Sequence, residues 1–95
     1  METVAIIHGN IDRITRYFEE LRTKDPAKKT CWSRLKLTPD GAIAWFSKGR
    51  KPQEEIIRFL GQIADLEIIN PPFLTVWRNG IRYYLTSRLN DAKMS

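Results

Sequence analysis

Aromatic and cationic side chains alternate along two segments of this sequence, and they carry its most specific chemistry. Trp32, Arg34 and Lys36 occupy every second position of one segment, and Trp77 and Arg82 flank an Asn-Gly dipeptide in the other. Aromatic rings stack on bases at about 1–3 kcal/mol each, while Lys and Arg neutralise phosphates. If both segments are strands of one sheet, this spacing indicates a surface for RNA or single-stranded nucleic acid.

Catalytic and metal-binding chemistry has much weaker support. His8 is the only histidine and Cys31 the only cysteine, and nothing in the sequence places a third orienting group beside them. The adjacent pairs Glu19-Glu20 and Glu54-Glu55 fall on predicted helices, where neighbours diverge by about 100°. The sequence therefore predicts no enzyme, no metal and no cofactor. A small hydrolase built on His8 is the alternative that it leaves open.

Length and charge narrow the class of protein further. The chain has 95 residues, 16 Lys and Arg, and 11 Asp and Glu, for a net charge of +5. No apolar run approaches the ~18–20 residues that span a bilayer, and the first residues do not have the pattern of a signal peptide. A single cysteine excludes an intramolecular disulfide. These features predict a cytoplasmic protein without membrane contact, with one domain over residues 1–88 and a short flexible tail over 89–95.

Periodicity indicates the elements that position these side chains. Residues 2–8 suit a short buried strand. Residues 11–24 carry an apolar stripe at helical spacing, with Asn10 as the predicted N-cap and Pro26 as the stop. Further elements are predicted as strands at 31–38 and 42–47, a helix at 52–65, and strands at 66–69, 73–78 and 81–87. This order predicts an α+β, ferredoxin-like two-layer sandwich (βαββαβ) with an added C-terminal β-hairpin, its sheet mostly antiparallel and both helices on one face.

The C-terminal hairpin has the stronger turn signal. A two-residue turn at Asn79-Gly80 pairs Trp77 with Arg82 and Val76 with Tyr83. One face of this hairpin then carries Leu74, Val76, Arg78, Ile81, Tyr83 and Leu85. The other face carries Thr75, Trp77, Arg82, Tyr84 and Thr86. We expect the first, aliphatic set to face the helices and the second to be exposed.

The other hairpin turns at residues 38–41. A type I turn followed by a glycine bulge pairs Leu37 with about Ile43, and Leu35 with about Trp45. The face toward the core is then predicted to hold Leu35, Leu37, Ile43 and Trp45. The exposed face is predicted to hold Trp32, Arg34, Lys36, Ala44 and Phe46.

Together these faces predict a nucleic-acid-binding surface. Its stacking residues are Trp32, Phe46, Trp77 and Tyr84, and its cations are Arg34, Lys36 and Arg82. Two basic loops near the ends of the sheet add Lys28, Lys29, Lys48, Arg50 and Lys51. The alternative is a protein-interaction or regulatory module that uses the same face as a homodimer interface or binds an acidic protein. A purely structural interpretation also remains, in which Trp77 and Arg82 form a cross-strand cation–π pair.

Overall fold

Six strands and two helices make up the part of the chain that the computed structural model describes, residues 3–25, 28, 31–47, 51–70 and 73–84. In chain order they are β1 (Thr3–His8), α1 (Ile11–Lys24), β2 (Trp32–Thr38), β3 (Gly41–Phe46), α2 (Lys51–Ile63), β4 (Asp65–Asn70), β5 (Phe73–Arg78) and β6 (Ile81–Tyr84). The predicted tail and the end of the last predicted strand lie outside these residues. Neither of the two helices is long and apolar enough to cross a membrane.

The sheet confirms the predicted α+β architecture. Its strands are antiparallel in the order β2-β3-β1-β4-β5-β6, so the first four follow the ferredoxin-like order and the C-terminal hairpin extends the sheet beyond β4. Both helices cover the same side of the sheet. Phe18 of α1 and Leu60 of α2 are fully buried against Ile7 and Leu66 from the middle strands, in one apolar core.

Helix α1 forms where the apolar stripe predicts it. The Asn10 side chain accepts a hydrogen bond from the Arg13 amide at 2.9 Å, which satisfies one of the free N–H groups of the first turn. Ile14, Phe18 and Leu21 are its buried residues and follow the predicted three- and four-residue spacing.

The turn between β2 and β3 differs from the prediction by one residue. Thr38 pairs with Gly41, so Leu37 lies opposite Ala42 instead of Ile43. Among the described residues only Asn79 and Gly80 have positive φ, so Gly41 does not form the predicted bulge. Glycine is needed at position 41 because there is no room for a side chain. A Cβ added there would lie 1.8 Å from the Ile7 carbonyl oxygen.

This shift reverses the predicted faces of β3, because side chains alternate along a strand. Ala42, Ala44 and Phe46 lie under the helices and are fully buried, while Ile43 and Trp45 lie on the opposite side. A register irregularity between Trp32 and Arg34 also turns Trp32 inward. The predicted inward position of Leu35 is confirmed, since it packs against the core cluster.

In the C-terminal hairpin the predicted pairing is confirmed and the predicted faces are wrong. Trp77 pairs with Arg82 and Val76 with Tyr83. It is Trp77, however, that lies against α2, where a Cβ on Gly61 would approach its ring to 2.2 Å. The aliphatic set predicted to face the helices is on the other side, in the described positions Leu74, Val76, Arg78, Ile81 and Tyr83.

Candidate interaction surface

The predicted stacking residues lie inside the protein. Trp32, Phe46 and Trp77 are 9%, 0% and 5% exposed, on the helix side of the sheet. Trp32 makes an edge contact with Phe18 of α1, with ring centroids 5.1 Å apart. The prediction that these three rings are exposed is therefore wrong. The backbone of Tyr84 pairs with that of Thr75, and the Tyr84 side chain is not among the described parts of the structure.

The predicted cations are divided between several environments. Arg34 and Lys36 are exposed on the side away from the helices, as predicted. Arg82 lies on the helix side instead, beside Glu54 and with its guanidinium 5.2 Å from the centre of the Trp77 ring. Trp77 and Arg82 thus form the cross-strand cation–π pair of the structural alternative, and the predicted exposure of Arg82 is wrong.

The basic loops are described only in part. The ammonium of Lys28 lies 2.8 Å from Glu55 and 3.5 Å from Asp25, and its hydrogen bond to Glu55 raises the pKa of Lys28. Lys29, Lys48 and Arg50 lie outside the described residues. Lys51 is the first residue of α2, and its side chain is not among the described parts of the structure. Lys28 is accordingly held by carboxylates of its own chain.

The side of the sheet that the helices leave uncovered, here called the open face, is mostly apolar. Its side chains come from all six strands and follow the cross-strand register in rows. The first row is Arg34, Trp45, Val4, Ile69 and Leu74. The second row is Lys36, Ile43, Ile6, Glu67, Val76 and Tyr83. Beyond the second row lie His8, Arg78 and Ile81.

Charge on the open face, apart from Glu67 on the central strand β4, is concentrated at its margins. On the β2 edge, the Arg34 guanidinium lies 4.9 Å from the centre of the Trp45 ring. At the other end of the strands, His8 Nδ1 lies 3.1 Å from the Asp40 carboxylate and His8 Nε2 lies 3.8 Å from Glu67. The hydrogen bond to His8 lowers the pKa of Asp40. With the exception of Glu67, the charged groups therefore lie around a centre of aliphatic side chains.

Glu67 is the one carboxylate within the second row, and it lies between the side chains of Arg78 and His8. Arg78 lies 3.9 Å from it, and His8 lies on its other side. The described residues contain no group of three or more His, Cys, Asp or Glu side chains that could hold a metal ion. The chemistry that this surface offers is the burial of apolar area against a complementary surface.

Sequence patterns missed the main components of the open face, above all Trp45 and Ile43. The available signal was the unbroken apolar run from Val4 to Ile7, which indicates a strand that is apolar on both sides. Such a strand in the middle of the sheet implies that both sides of the sheet are apolar at its centre.

Comparison of the chain with models of protein families, with curated proteins and with solved structures found no match.

Proposed function

We propose that this protein is a non-catalytic interaction module that forms a homodimer through the open face of its sheet. The observation that carries the proposal is the composition of the two rows, as far as the structure describes them. Apart from the cations at the β2 edge and Glu67, every position in them is aliphatic or aromatic. Interface cores are depleted in charge and enriched in such side chains, with polar groups at the rim.

The size of the face is appropriate for a stable dimer. Six strands at ~4.8 Å spacing and about six residues of ~3.3 Å give a flat area of roughly 24 × 20 Å. The accessible area is larger, because side chains give the surface relief. The flat area alone, roughly 480 Å², is about 60% of the ~800 Å² that each partner loses in a standard interface.

The arrangement of the rows favours a second copy of the chain as the partner. A two-fold axis parallel to the strands, between β1 and β4, sets β3 opposite β5 of the second copy and β2 opposite β6. Within the rows, Trp45 then faces Leu74 of the second copy, and Lys36 faces Tyr83. The pair of Trp45 and Leu74 is apolar, and the pair of Lys36 and Tyr83 sets a cation against an aromatic ring. Glu67 faces Ile6 of the second copy.

Burial of Glu67 in this dimer is compatible with its surroundings. An unpaired carboxylate is costly to bury, but the Arg78 guanidinium of the same chain already lies 3.9 Å from Glu67. The dimer therefore does not need a cation from the second copy at this position.

The test is to measure the molar mass of the protein in solution by light scattering, at protein concentrations from about 1 to 100 µM. We expect a dimer of twice the 11.1 kDa protomer at the upper concentrations. Trp45→Glu should be monomeric throughout because it places charge at the centre of a row. The matched control is Leu37→Glu, which adds the same charge at an exposed position on the helix side of the β2 edge. A monomeric parent, or a Trp45→Glu protein that dimerises like the control, would refute the proposal.

A second candidate function is binding of RNA or single-stranded nucleic acid by the β2 edge of the open face. It is supported by the stacked Arg34 and Trp45 pair with Lys36 beside it. Salt should have opposite effects on nucleic-acid binding and on dimer formation. Added salt weakens binding to phosphates, whereas it strengthens association between two protomers that each carry +5.

Anisotropy of a labelled 12-nucleotide oligouridine measures this second function. Binding at 50 mM salt that weakens at least ten-fold at 200 mM, and that is lost in Trp45→Ala, would support it. No binding at 50 mM salt would exclude it.

A further inference from the structure

Strand β2 lies at one edge of the sheet, and β3 is its only neighbour among the described strands. An edge strand presents unpaired backbone N–H and C=O groups along its outer side, and a further strand can pair with them. At such edges one protein adds an extended segment of another to its own sheet. The outer side of β2 is therefore a candidate docking site that belongs to neither face of the sheet.

One backbone hydrogen bond reveals which residues of β3 bond to which neighbour. The Gly9 amide donates to the Asp40 carbonyl at 2.9 Å, and this bond continues the ladder between β1 and β3. Bonded and non-bonded pairs alternate along an antiparallel ladder, so Ala42 and Ala44 are the residues of β3 that bond to β1. The backbone of Ile43, which lies between them, bonds to β2 instead.

The same alternation shows which backbone groups of β2 point outward. Arg34 and Lys36 lie opposite the residues of β3 that bond to β2, so their backbone groups are used within the sheet. The N–H and C=O groups of Leu35 and Leu37 therefore point away from β3. No other described part of the chain forms a backbone hydrogen bond with these two residues. They provide the free donors and acceptors of the edge.

The side chains along this edge alternate between cationic and apolar. Arg34 and Lys36 are exposed on the open face, and neither forms an ion pair with a described carboxylate. On the helix side, Leu37 is 52% exposed and Leu35 lies at the margin of the core. Opposite charges and apolar pairs stabilise neighbouring strands when they lie directly across from each other. A matching strand therefore carries acidic residues opposite the cations and apolar residues opposite the leucines.

A second copy of β2 is a poor match for this edge. If Leu35 paired with Leu37 of a second copy, Lys36 would lie directly opposite Lys36 of that copy. Like charges in this position destabilise the pairing of two strands. The charge of the edge therefore favours a different, acidic segment as the partner.

We propose that the outer edge of β2 binds an extended segment of another protein in which acidic and apolar residues alternate, as an added antiparallel strand. The apolar residues of that segment exchange backbone hydrogen bonds with Leu35 and Leu37. Its acidic residues lie opposite Arg34 and Lys36 in non-hydrogen-bonded pairs, where the side chains of two strands are closest. The strand is added in the plane of the sheet, so the proposal does not depend on dimer formation.

The probe for this site is the peptide Thr-Val-Glu-Val-Glu-Thr, acetylated and amidated at its ends. It is titrated to about 2 mM into ¹⁵N-labelled protein, and we expect a dissociation constant on the order of 100 µM. The amide signals of Leu35 and Leu37 should move downfield, because their N–H groups gain hydrogen bonds. The peptide Thr-Val-Lys-Val-Lys-Thr, which has the opposite charge, should not bind.

Methylation of the peptide backbone distinguishes strand addition from attraction between charges. In the proposed register the valine N–H groups point toward β2, and the glutamate N–H groups point away from it. A peptide with N-methylated valines should bind at least about ten-fold more weakly, because it loses the hydrogen bonds to β2. A peptide with N-methylated glutamates carries the same charge and the same number of methyl groups, and it should bind like the unmodified peptide.

Reversal of the charge of the edge tests the recognition of acidic residues. A protein with both Arg34→Glu and Lys36→Glu should bind the lysine peptide and lose the glutamate peptide. The matched control combines Arg13→Glu and Arg16→Glu, which makes the same change in net charge at two exposed positions of α1. The control should keep the preference of the parent for the glutamate peptide.

Three results would overturn the proposal. They are unshifted Leu35 and Leu37 amides at the highest peptide concentration, equal binding of the two methylated peptides, and shifts confined to β6 or to the helices. Equal binding would show attraction through charge alone, as in binding of a nucleic acid. The comparisons between peptides use the unaltered chain, so they hold even if a variant fails to fold. A monomeric protein that binds the glutamate peptide would refute the dimer and leave this proposal in place.

Discussion

The two sides of the sheet are both apolar, yet they differ in how completely they are covered. On the helix side, Ala5, Ile7 and Phe46 are almost fully inaccessible. On the open face, Val4, Ile6 and Trp45 alternate with them along the same strands and are partly exposed. Ala5, Ala42 and Ala44 leave room on the helix side for the side chains of the two helices. Hydrophobicity alone therefore does not tell the protomer's own core from a surface available to a partner.

The largest expected effect is a difference in stability between two tryptophan variants, one on each side of the sheet. Trp77→Ala should lower the free energy of unfolding by about 3–5 kcal/mol, because it empties a buried site. Trp45→Ala should cost only about 1 kcal/mol in dilute protein. Urea unfolding at 1 and 100 µM measures both. Because the parent dimerises at the higher concentration, the difference in free energy of unfolding between the parent and Trp45→Ala should grow with concentration. The difference between the parent and Trp77→Ala should stay the same. Equal deficits at every concentration would contradict the distinction between core and interface.

Gly61 provides a smaller test of how closely the helix side is packed. A methyl group at this position would overlap the Trp77 ring. Gly61→Ala should therefore destabilise the protein by about 1–3 kcal/mol, despite the better helix propensity of alanine. The control is the same change in Trp77→Ala, where the methyl group should no longer be destabilising because the ring that it overlaps is absent. A Gly61→Ala protein as stable as the parent would show that the hairpin is free to move away from α2.

Tyr17 tests how well the helix layer excludes water. It stacks on Phe59 of α2 with ring centroids 4.2 Å apart, and burial raises its pKa to about 12. Since the folded pKa lies above the ordinary ~10, this phenol stabilises the fold below about pH 10 and loses that contribution as pH rises toward 12. The difference in absorbance at 295 nm between the parent and Tyr17→Phe should remain small near pH 10.5. A difference that rises with a midpoint near 10 would show an accessible phenol.

The smallest expected effect concerns the end of the open face. The hydrogen bond from His8 lowers the pKa of Asp40, so any stabilisation is present above the ordinary Asp pKa and is lost as pH falls through the lowered value. Carbon NMR of the Asp40 carboxyl should show a midpoint below ~3.9 in the parent, returning upward in His8→Ala. An unchanged midpoint in this variant would remove His8 as the cause.

Much of the fold was predictable because local signals were strong. The cap at Asn10, the stripe through Phe18 and the Asn79-Gly80 turn each have one good physical solution, and each prediction is confirmed. Together with the order of the elements they were sufficient for the α+β architecture and for the register of the C-terminal hairpin.

The surface was predicted poorly, because the choice between two apolar faces depends on distant packing. Pro39-Asp40 forms a two-residue loop where a bulged turn was predicted. The resulting shift of one residue in the pairing exchanges the buried and exposed side chains of β3 relative to the prediction. Trp77 fills the space that Gly61 leaves on α2, a contact between residues 16 positions apart in the chain. Neither the turn nor the contact can be read from alternation within one strand.

The most direct test of the dimer is an isotope-filtered NOE measurement on a mixture of ¹³C-labelled and unlabelled chains. The proposed two-fold arrangement predicts NOEs between copies, from the Trp45 ring protons to the methyl groups of Leu74. It also predicts that the Trp77 ring gives NOEs only within its own chain. A molar mass near 11.1 kDa with no NOE between copies would contradict the proposed role of the open face, as would intermolecular NOEs confined to the helix side.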